Sequence, residues 1–332
     1  MVRTTVVGSW PIPRRLKPQL TDYYKGARSD EEAYDVLQAA ARIAMDEQLA
    51  CGLDQIMGGE VFAPDFVHHV PPRLSGLELV KKRDHRAGVE GTGRYRIVGD
   101  ISAPRGTGHA LAYRREKAIQ SRLDKAAVPS PLTITLSLLG DPRLPEQMEN
   151  VALVVEAEVR DMADAGAAEI QLDAPLEAVA LVTGGRTVDE LLPWILFPFR
   201  RIAGVCRTVH FCLGDMGRRP ATQEQHLRQL IPLFEALEGE VDRVHVECSH
   251  AGQWEERALL SRVPESLEVI AGIADVKSKP EGRGELRQRI EALQRVLPGN
   301  RLLVSSSCGC GRMPHDDASV LMRNLVEAAH DC

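Results

Sequence analysis

The chain of 332 residues carries no excess of basic charge: 41 Lys and Arg stand against 47 Asp and Glu, a formal net charge of −6 with pI ≈ 6.0. That balance lacks the positive footprint of a nucleic-acid binder. The densest basic run, Lys81-Lys82-Arg83, reads as a solvated loop. No apolar stretch approaches ~20 residues, so no membrane-spanning helix is expected. Nor does a long apolar segment follow the first residues, where Met1-Val2-Arg3 leads directly into a strand-like Thr4–Val7. Cysteine is odd in number, at 51, 206, 212, 248, 308, 310 and 332. An odd count without secretory targeting argues against a disulfide framework and for a reducing compartment, so a cytoplasmic location is expected. No internal repeat and no dividing linker appear. Gly91-Thr92-Gly93 and Gly184-Gly185 match no phosphate-binding fingerprint and read as turns.

What is present is an ordinary globular balance, 44% hydrophobic and 27% charged. Short apolar, β-branched runs predict eight buried parallel strands: Thr4–Ser9, Gln55–Glu60, Leu132–Ser137, Glu169–Asp173, Thr208–Leu213, Arg243–Cys248, Glu268–Ile273 and Leu302–Ser307. Helical periodicity predicts helices over Asp30–Ala50, Glu146–Ala165, Thr187–Ala203, Glu285–Leu297 and Asp316–Ala329. The first two stop at Gly52 and Gly166, and the third opens with the capping box Thr187-x-x-Glu190. Eight strand-then-helix units imply an α/β fold, a single-domain (β/α)8 TIM barrel over residues 1–332. Val61–Asp100 is rich in Pro, Gly and charge and reads as an insert after strand two that covers the active-site mouth, with an extra hairpin at Arg94–Ile101.

Polar residues close these runs. Ser9 ends the first strand, Glu60 the second, Asp173 the fourth, Glu247 the sixth and Cys308 the eighth, while Asp275 and Lys277 follow the seventh. His210 and Cys212 end the fifth, and residues i and i+2 of a strand face one side. An imidazole, two thiols and a carboxylate converging on one mouth suit zinc by softness and charge. A single His-x-Cys would be weak support, because cysteine is among the most buried residue types and mostly inert there. The joint pattern, all at the carboxyl ends of strands, is what points to a metal. Cys310 lies two residues beyond Cys308 and is an alternative thiol. His245 reads as packing, and His68, His69 and His109 read as loop histidines that could line the mouth.

At these residues the chain resembles the catalytic domain of cobalamin-independent methionine synthase. The matching stretches are Val7-Gly8-Ser9-Trp10-Pro11, Gly58-Gly59-Glu60, Ile97-Val98-Gly99-Asp100-Ile101-Ser102 and Pro131-Leu132-Thr133-Ile134. They continue through Gln171-Leu172-Asp173-Ala174-Pro175, His210-Phe211-Cys212, Val246-Glu247, Asp275-Val276-Lys277-Ser278 and Ser307-Cys308-Gly309. The resemblance implies zinc on His210, Cys212, Glu247 and Cys308, and homocysteine on Ser9, Glu60 and Asp173. It favours Cys308 over Cys310. The implied reaction moves a methyl group onto a thiol, that of homocysteine giving methionine, with Asp275 and Lys277 as candidate catalytic groups.

Three positions depart from the family on the methyl-donor side. The tryptophan expected after the Pro131–Ile134 match is absent from Thr135-Leu136-Ser137-Leu138, an acid is replaced by Ala174, and a proton-donating histidine is replaced by Lys277. These changes leave open methylfolate, a methylcorrinoid or a corrinoid protein as donor, and alkyl transfer to or from another small thiol. A non-catalytic zinc-stabilised scaffold is the reading from outside enzymology.

Overall fold

Parallel strands buried on both faces need apolar side chains above and below, and seven segments of this chain meet that demand. The computed structural model describes residues 1–24, 28–81, 93–138, 144–215, 217–219, 221–223 and 226–332. Lys82, Arg83, Gly91 and Thr92, and with them the middle of the expected insert, lie outside the described residues. The strands are β1 (Arg3–Thr4), β2 (Ser75–Lys81), β3 (Arg94–Ser102), β4 (Lys125–Pro129), β5 (Glu169–Asp173), β6 (Cys206–Phe211), β7 (Arg243–Glu247), β8 (Glu268–Ala274) and β9 (Leu302–Ser306). The helices are α1 (Lys17–Tyr24), α2 (Asp30–Ala50), α3 (His109–Ile119), α4 (Pro131–Leu136), α5 (Leu144–Asp164), α6 (Pro175–Val182), α7 (Val188–Leu196), α8 (Ile231–Ala236), α9 (Ala251–Glu255), α10 (Arg283–Gln294) and α11 (His315–His330).

Seven strands form one parallel sheet in the order β1-β9-β8-β7-β6-β5-β4. The sheet is curved like part of a barrel wall, with helices following its strands. The expected second strand is not counted in it. Residues 55–59 run beside the first segment instead, with Gln55 N–H donating to Thr4 O at 3.2 Å and a single parallel bridge from Ser9 to Gly59.

The third expected strand is corrected outright. Leu132–Ser137 is the helix α4, and the strand lies just upstream as β4. Ser130 caps α4 by accepting from Thr133 N–H at 3.0 Å, and Pro131 occupies its first turn. The β-branched run that looked like a strand is thus a short buried helix. The real strand was hidden because it carries Lys125, which is 1% exposed and satisfied inside the sheet by Val6 O at 3.0 Å.

Other boundaries move little. Asp30–Ala50 is found as expected, opened by the Ser29–Glu32 capping box. Thr187–Ala203 shortens to α7 followed by a 3-10 turn at Phe197–Phe199, interrupted by Pro193 and Pro198. Arg94–Ile101 is not a hairpin by itself: β3 pairs antiparallel with β2, outside the main sheet.

Candidate active site

Asp173, His210 and His245 are successive register partners across β5, β6 and β7, so their side chains emerge in one row near the carboxyl ends of the sheet. Neighbouring parallel strands lie ≈ 4.8 Å apart, which puts such partners within direct contact. Asp173 Oδ1 lies 2.7 Å from His210 Nδ1, and the imidazoles of His210 and His245 pack at a tilt of 44° with ring centres 4.6 Å apart. His245 is fully buried against Gln171 Oε1 at 3.3 Å, and burial followed by the nearby His210 pushes its pKa well down. It is a packing residue, as expected.

His210 Nε2, the ring's other nitrogen, is buried without a hydrogen-bond partner. The Nε2 atoms of His245 and four other histidines are likewise buried without a partner, so what singles out His210 is that its ring lines a cavity together with two thiols. One residue past β6, Cys212 Sγ lies 3.7 Å from Cys308 Sγ. Two thiolates bound tetrahedrally at ≈ 2.3 Å to one zinc would stand about 3.8 Å apart. The hydrogen bond with Cys308 and burial push the Cys212 thiol well up. Cys310 is excluded from the pair: it is 1% exposed, its thiol is pushed up to about 12 by burial, and it does not line the cavity.

One cavity of ≈ 560 Å³ is lined by His210, Cys212, Cys308, Ser9, Glu60 and Asp173. Six of the nine expected site residues therefore share it. Glu247, Asp275 and Lys277 do not line it. Glu247 is fully buried, accepts from Leu213 N–H at 2.9 Å, and is ion-paired with Lys277 Nζ, while His250 Nε2 lies 3.3 Å from the same oxygen. Burial would raise the Glu247 carboxyl, but His250 and the Lys277 ammonium outweigh it and the net shift is downward. Among the described residues no three His, Cys, Asp or Glu side chains stand assembled for a metal. The donor chemistry nevertheless fits zinc, with one orphaned nitrogen and two thiols at metal-like separation. Glu247 is the member already engaged elsewhere.

The substrate side is built by close backbone approach. Ser9 Oγ accepts from Gly311 N–H at 3.2 Å, and Ser9 O accepts from Cys310 N–H at 2.9 Å. A Cβ on Gly309 would fall 2.1 Å from Ser9 Oγ, so only glycine permits the contact. Glu60 has φ +58°, a left-handed conformation that costs a non-glycine residue energy and clusters at functional sites. Burial, then Asp173, pushes its carboxyl well above the usual range.

The cavity wall also contains residues that strand-end reasoning did not select: Tyr24 of α1 and Phe66 supply aromatic surface, and Lys17 and Arg312 supply positive charge. His68 lines the mouth beside Asp65 at 3.0 Å. His109 is corrected from a loop histidine to a buried one, 5% exposed and packed edge-to-face with His69 at 5.7 Å. His250 could have been found from its spacing, three residues beyond Glu247.

Fold and cavity together define an α/β domain that works at the carboxyl ends of parallel strands, with thiols, an imidazole and carboxylates around one pocket. The chain belongs to the family described as cobalamin-independent synthase, catalytic domain, whose model matches residues 2–331. It is 26% identical over 343 residues to a 5-methyltetrahydropteroyltriglutamate–homocysteine methyltransferase of Trichodesmium erythraeum (strain IMS101), covering 98% of this chain and 43% of that protein. It is 26% identical over 346 residues to the protein of the same name from Thermosynechococcus vestitus (strain NIES-2133 / IAM M-273 / BP-1), covering 98% and 42%. The chain thus spans less than half the length of these curated relatives. Among solved structures, a B12-independent methionine synthase from Shewanella sp. W3-18-1 in complex with selenomethionine superposes with TM-score 0.80 at 20% identity, over 100% of this chain and 97% of that one. A methyltransferase from Methanosarcina mazei superposes with TM-score 0.62 at 12% identity, over 99% and 94%.

Proposed function

We propose that this chain transfers a methyl group to the thiol of homocysteine, giving methionine, at a zinc centre held by His210, Cys212, Glu247 and Cys308. The observation that carries the reading is the orphaned His210 Nε2 in a cavity that the Cys212–Cys308 thiol pair also lines. When bound, zinc would hold a substrate thiol as a reactive thiolate near neutral pH.

The chain's own residues then bind and orient. Asp173 supplies negative charge for the substrate ammonium, and Glu60 adds a carboxyl oxygen that accepts from it. Ser9 Oγ accepts from Gly311 N–H, which leaves its hydroxyl hydrogen to donate to the substrate carboxylate. An amino acid fixed at both ends holds its sulfur at a set distance from the metal, and such positioning is a major source of rate. Asp275 and Lys277 act from behind the cavity: Asp275 Oδ1 accepts from Lys277 N–H at 2.9 Å, and Lys277 reaches Glu247.

For the methyl donor, the names of the curated relatives favour a methylated pteroylglutamate over a corrinoid. Tyr24 and Phe66 offer a flat ring the aromatic contact that the missing tryptophan would have made. We read residues 55–59 as the segment that completes a (β/α)8 barrel in one domain. Supporting contacts are Gln55 Nε2 to Glu169 Oε2 at 2.9 Å and Lys125 Nζ to Val6 O across the remaining gap. Residues 61–100 are read as an insert at the mouth, supported by Pro64 through His68 on the cavity wall. A scaffold role is disfavoured by the size of the cavity.

Single-turnover assays of the zinc-loaded chain with homocysteine test the proposal, using methylated folate, its polyglutamate form and methylcobalamin in separate arms. Methionine from the pteroyl donors is expected. Stoichiometric zinc with no methionine from any donor would overturn the reading, and methionine from methylcobalamin alone would overturn its donor.

A further inference from the structure

Of the four residues read as metal ligands, Glu247 alone has both oxygens engaged. Oε2 accepts from Leu213 N–H at 2.9 Å, while Oε1 carries the ion pair with Lys277 Nζ and stands 3.3 Å from His250 Nε2. Neither partner is a surface group: the side chains of Lys277 and Glu247 are 2% and 0% exposed. The ammonium also interacts electrostatically with Cys212 and Cys308, the two thiols of the cavity.

Its placement is built into the loop after β8. Asp275 N–H donates to Glu281 Oε2 at 2.8 Å, Val276 N–H donates to Ser307 Oγ at 3.2 Å, and Lys277 N–H donates to Asp275 Oδ1 at 2.9 Å. Glu281 is anchored in turn by Arg289 at 2.7 Å. Three successive backbone N–H groups are therefore pinned, and the lysine side chain is aimed at Glu247.

We propose that Lys277 is a built-in counter-cation that competes with the metal for Glu247, so that loading the centre requires the Lys277–Glu247 pair to open and Lys277 sets how tightly the metal is held. The inference rests on the zinc reading above. A buried carboxylate stripped of its cation is strongly destabilised, and here either cation can neutralise it. The ammonium and a dication repel each other and would both draw on the Glu247 carboxylate, so each would weaken the other's hold. Lys277 is accordingly a positioning residue that acts through Glu247, not a group that touches substrate.

Zinc affinity of the full chain, measured by competition with a chromophoric chelator, tests this without any turnover. Lys277→Met is expected to tighten zinc at least tenfold, and Lys277→Arg to stay within about threefold of the unaltered chain. Glu247→Gln should abolish the Lys277→Met gain in the double variant. A Lys277→Met chain that folds only with zinc supports the proposal. If it folds under neither condition, Lys277→Gln replaces it, keeping a hydrogen-bond donor without the charge, and must show the same gain. Unchanged or weaker zinc binding in the folded variant overturns the proposal, as does a Glu247→Gln loss equal in both backgrounds. Cys212→Ser separates the two readings. If the unaltered chain binds zinc and Cys212→Ser does not, a missing gain refutes the role of Lys277 alone. If the unaltered chain binds no zinc, both readings fall.

Discussion

Asp173 Oδ1 and His210 Nδ1 stand 2.7 Å apart as register partners on β5 and β6, and that contact decides which ring nitrogen remains for a ligand. A carboxylate accepting from Nδ1–H fixes the tautomer in which Nε2 keeps its lone pair. The same Oδ1 accepts from Gln171 Nε2 at 2.8 Å, so the carboxylate is itself held in place. Asp173 thus does more than the family resemblance assigned to it: it faces the cavity and also orients the imidazole.

Asp173→Ala should weaken zinc binding by 10–100-fold, the usual penalty for removing a carboxylate that orients a ligating histidine. Asp173→Asn, which keeps an acceptor oxygen, should cost less. Chelator competition on both variants provides the check, and an Asp173→Ala chain with unaltered affinity would remove the aspartate from the metal site.

The legible parts of this chain were the strand ends. Asp173 and Glu247 close strands in the sequence pattern and do so in the structure, because a buried apolar run must stop where charge begins. What sequence reasoning could not see was compensation at a distance. Lys125 inside β4 broke the apolar pattern, and its partners Val6 and Glu169 are far away in the chain. Leu132–Ser137 looked like a strand because Thr and Ile are β-branched, yet Ser130 and Pro131 start a helix there. The Lys277–Glu247 pair was hidden for the same reason: thirty residues separate its members, and only the fold joins them.

Cys212→Ser and Cys308→Ser should each lose stoichiometric zinc, whereas Cys310→Ser should retain it. The thiols of the first two face each other at 3.7 Å on the cavity, while Cys310 is sealed in the core at 1% exposure. Elemental analysis of the purified variants distinguishes the outcomes. Zinc retained in both of the first two would refute the ligand assignment.

Gly309→Ala should separate substrate binding from metal binding. The added methyl would fall 2.1 Å from Ser9 Oγ and displace the hydroxyl from its bond with Gly311 N–H. Losing one such contact to a charged substrate group is worth roughly 1.5–3 kcal/mol, so homocysteine should bind at least about tenfold more weakly. Zinc content should not change. Calorimetric titration of the zinc-loaded variant would show this, and unaltered homocysteine affinity would remove Ser9 from the amino-acid site.

Glu116 provides a test of stability against pH. It is 7% exposed on α3, its Oε1 has no hydrogen-bond partner among the described residues, and it borders a cavity of ≈ 40 Å³ shared with Glu60 and His109. Burial pushes its carboxyl from 4.5 up to about 8. Between those values the folded chain holds a proton that the unfolded chain has released. The stabilisation is therefore complete below about pH 4.5 and lost as pH rises toward 8. His109, lowered from 6.5 to about 4 by burial, works in the opposite sense but only below 6.5, where the unfolded imidazole takes up a proton first. From pH 6.5 to 8 Glu60, whose carboxyl burial also pushes up, loses stabilisation in the same direction, so the Glu116 share, about 2 kcal/mol at 1.36 kcal/mol per unit, is read as the difference between the unaltered chain and Glu116→Gln. Glu116→Gln, which cannot ionise, should flatten that part of the curve relative to the unaltered chain. Denaturant melts at several pH values across the window would reveal it. Parallel curves for the two proteins would mean that Glu116 is already ionised in the folded state.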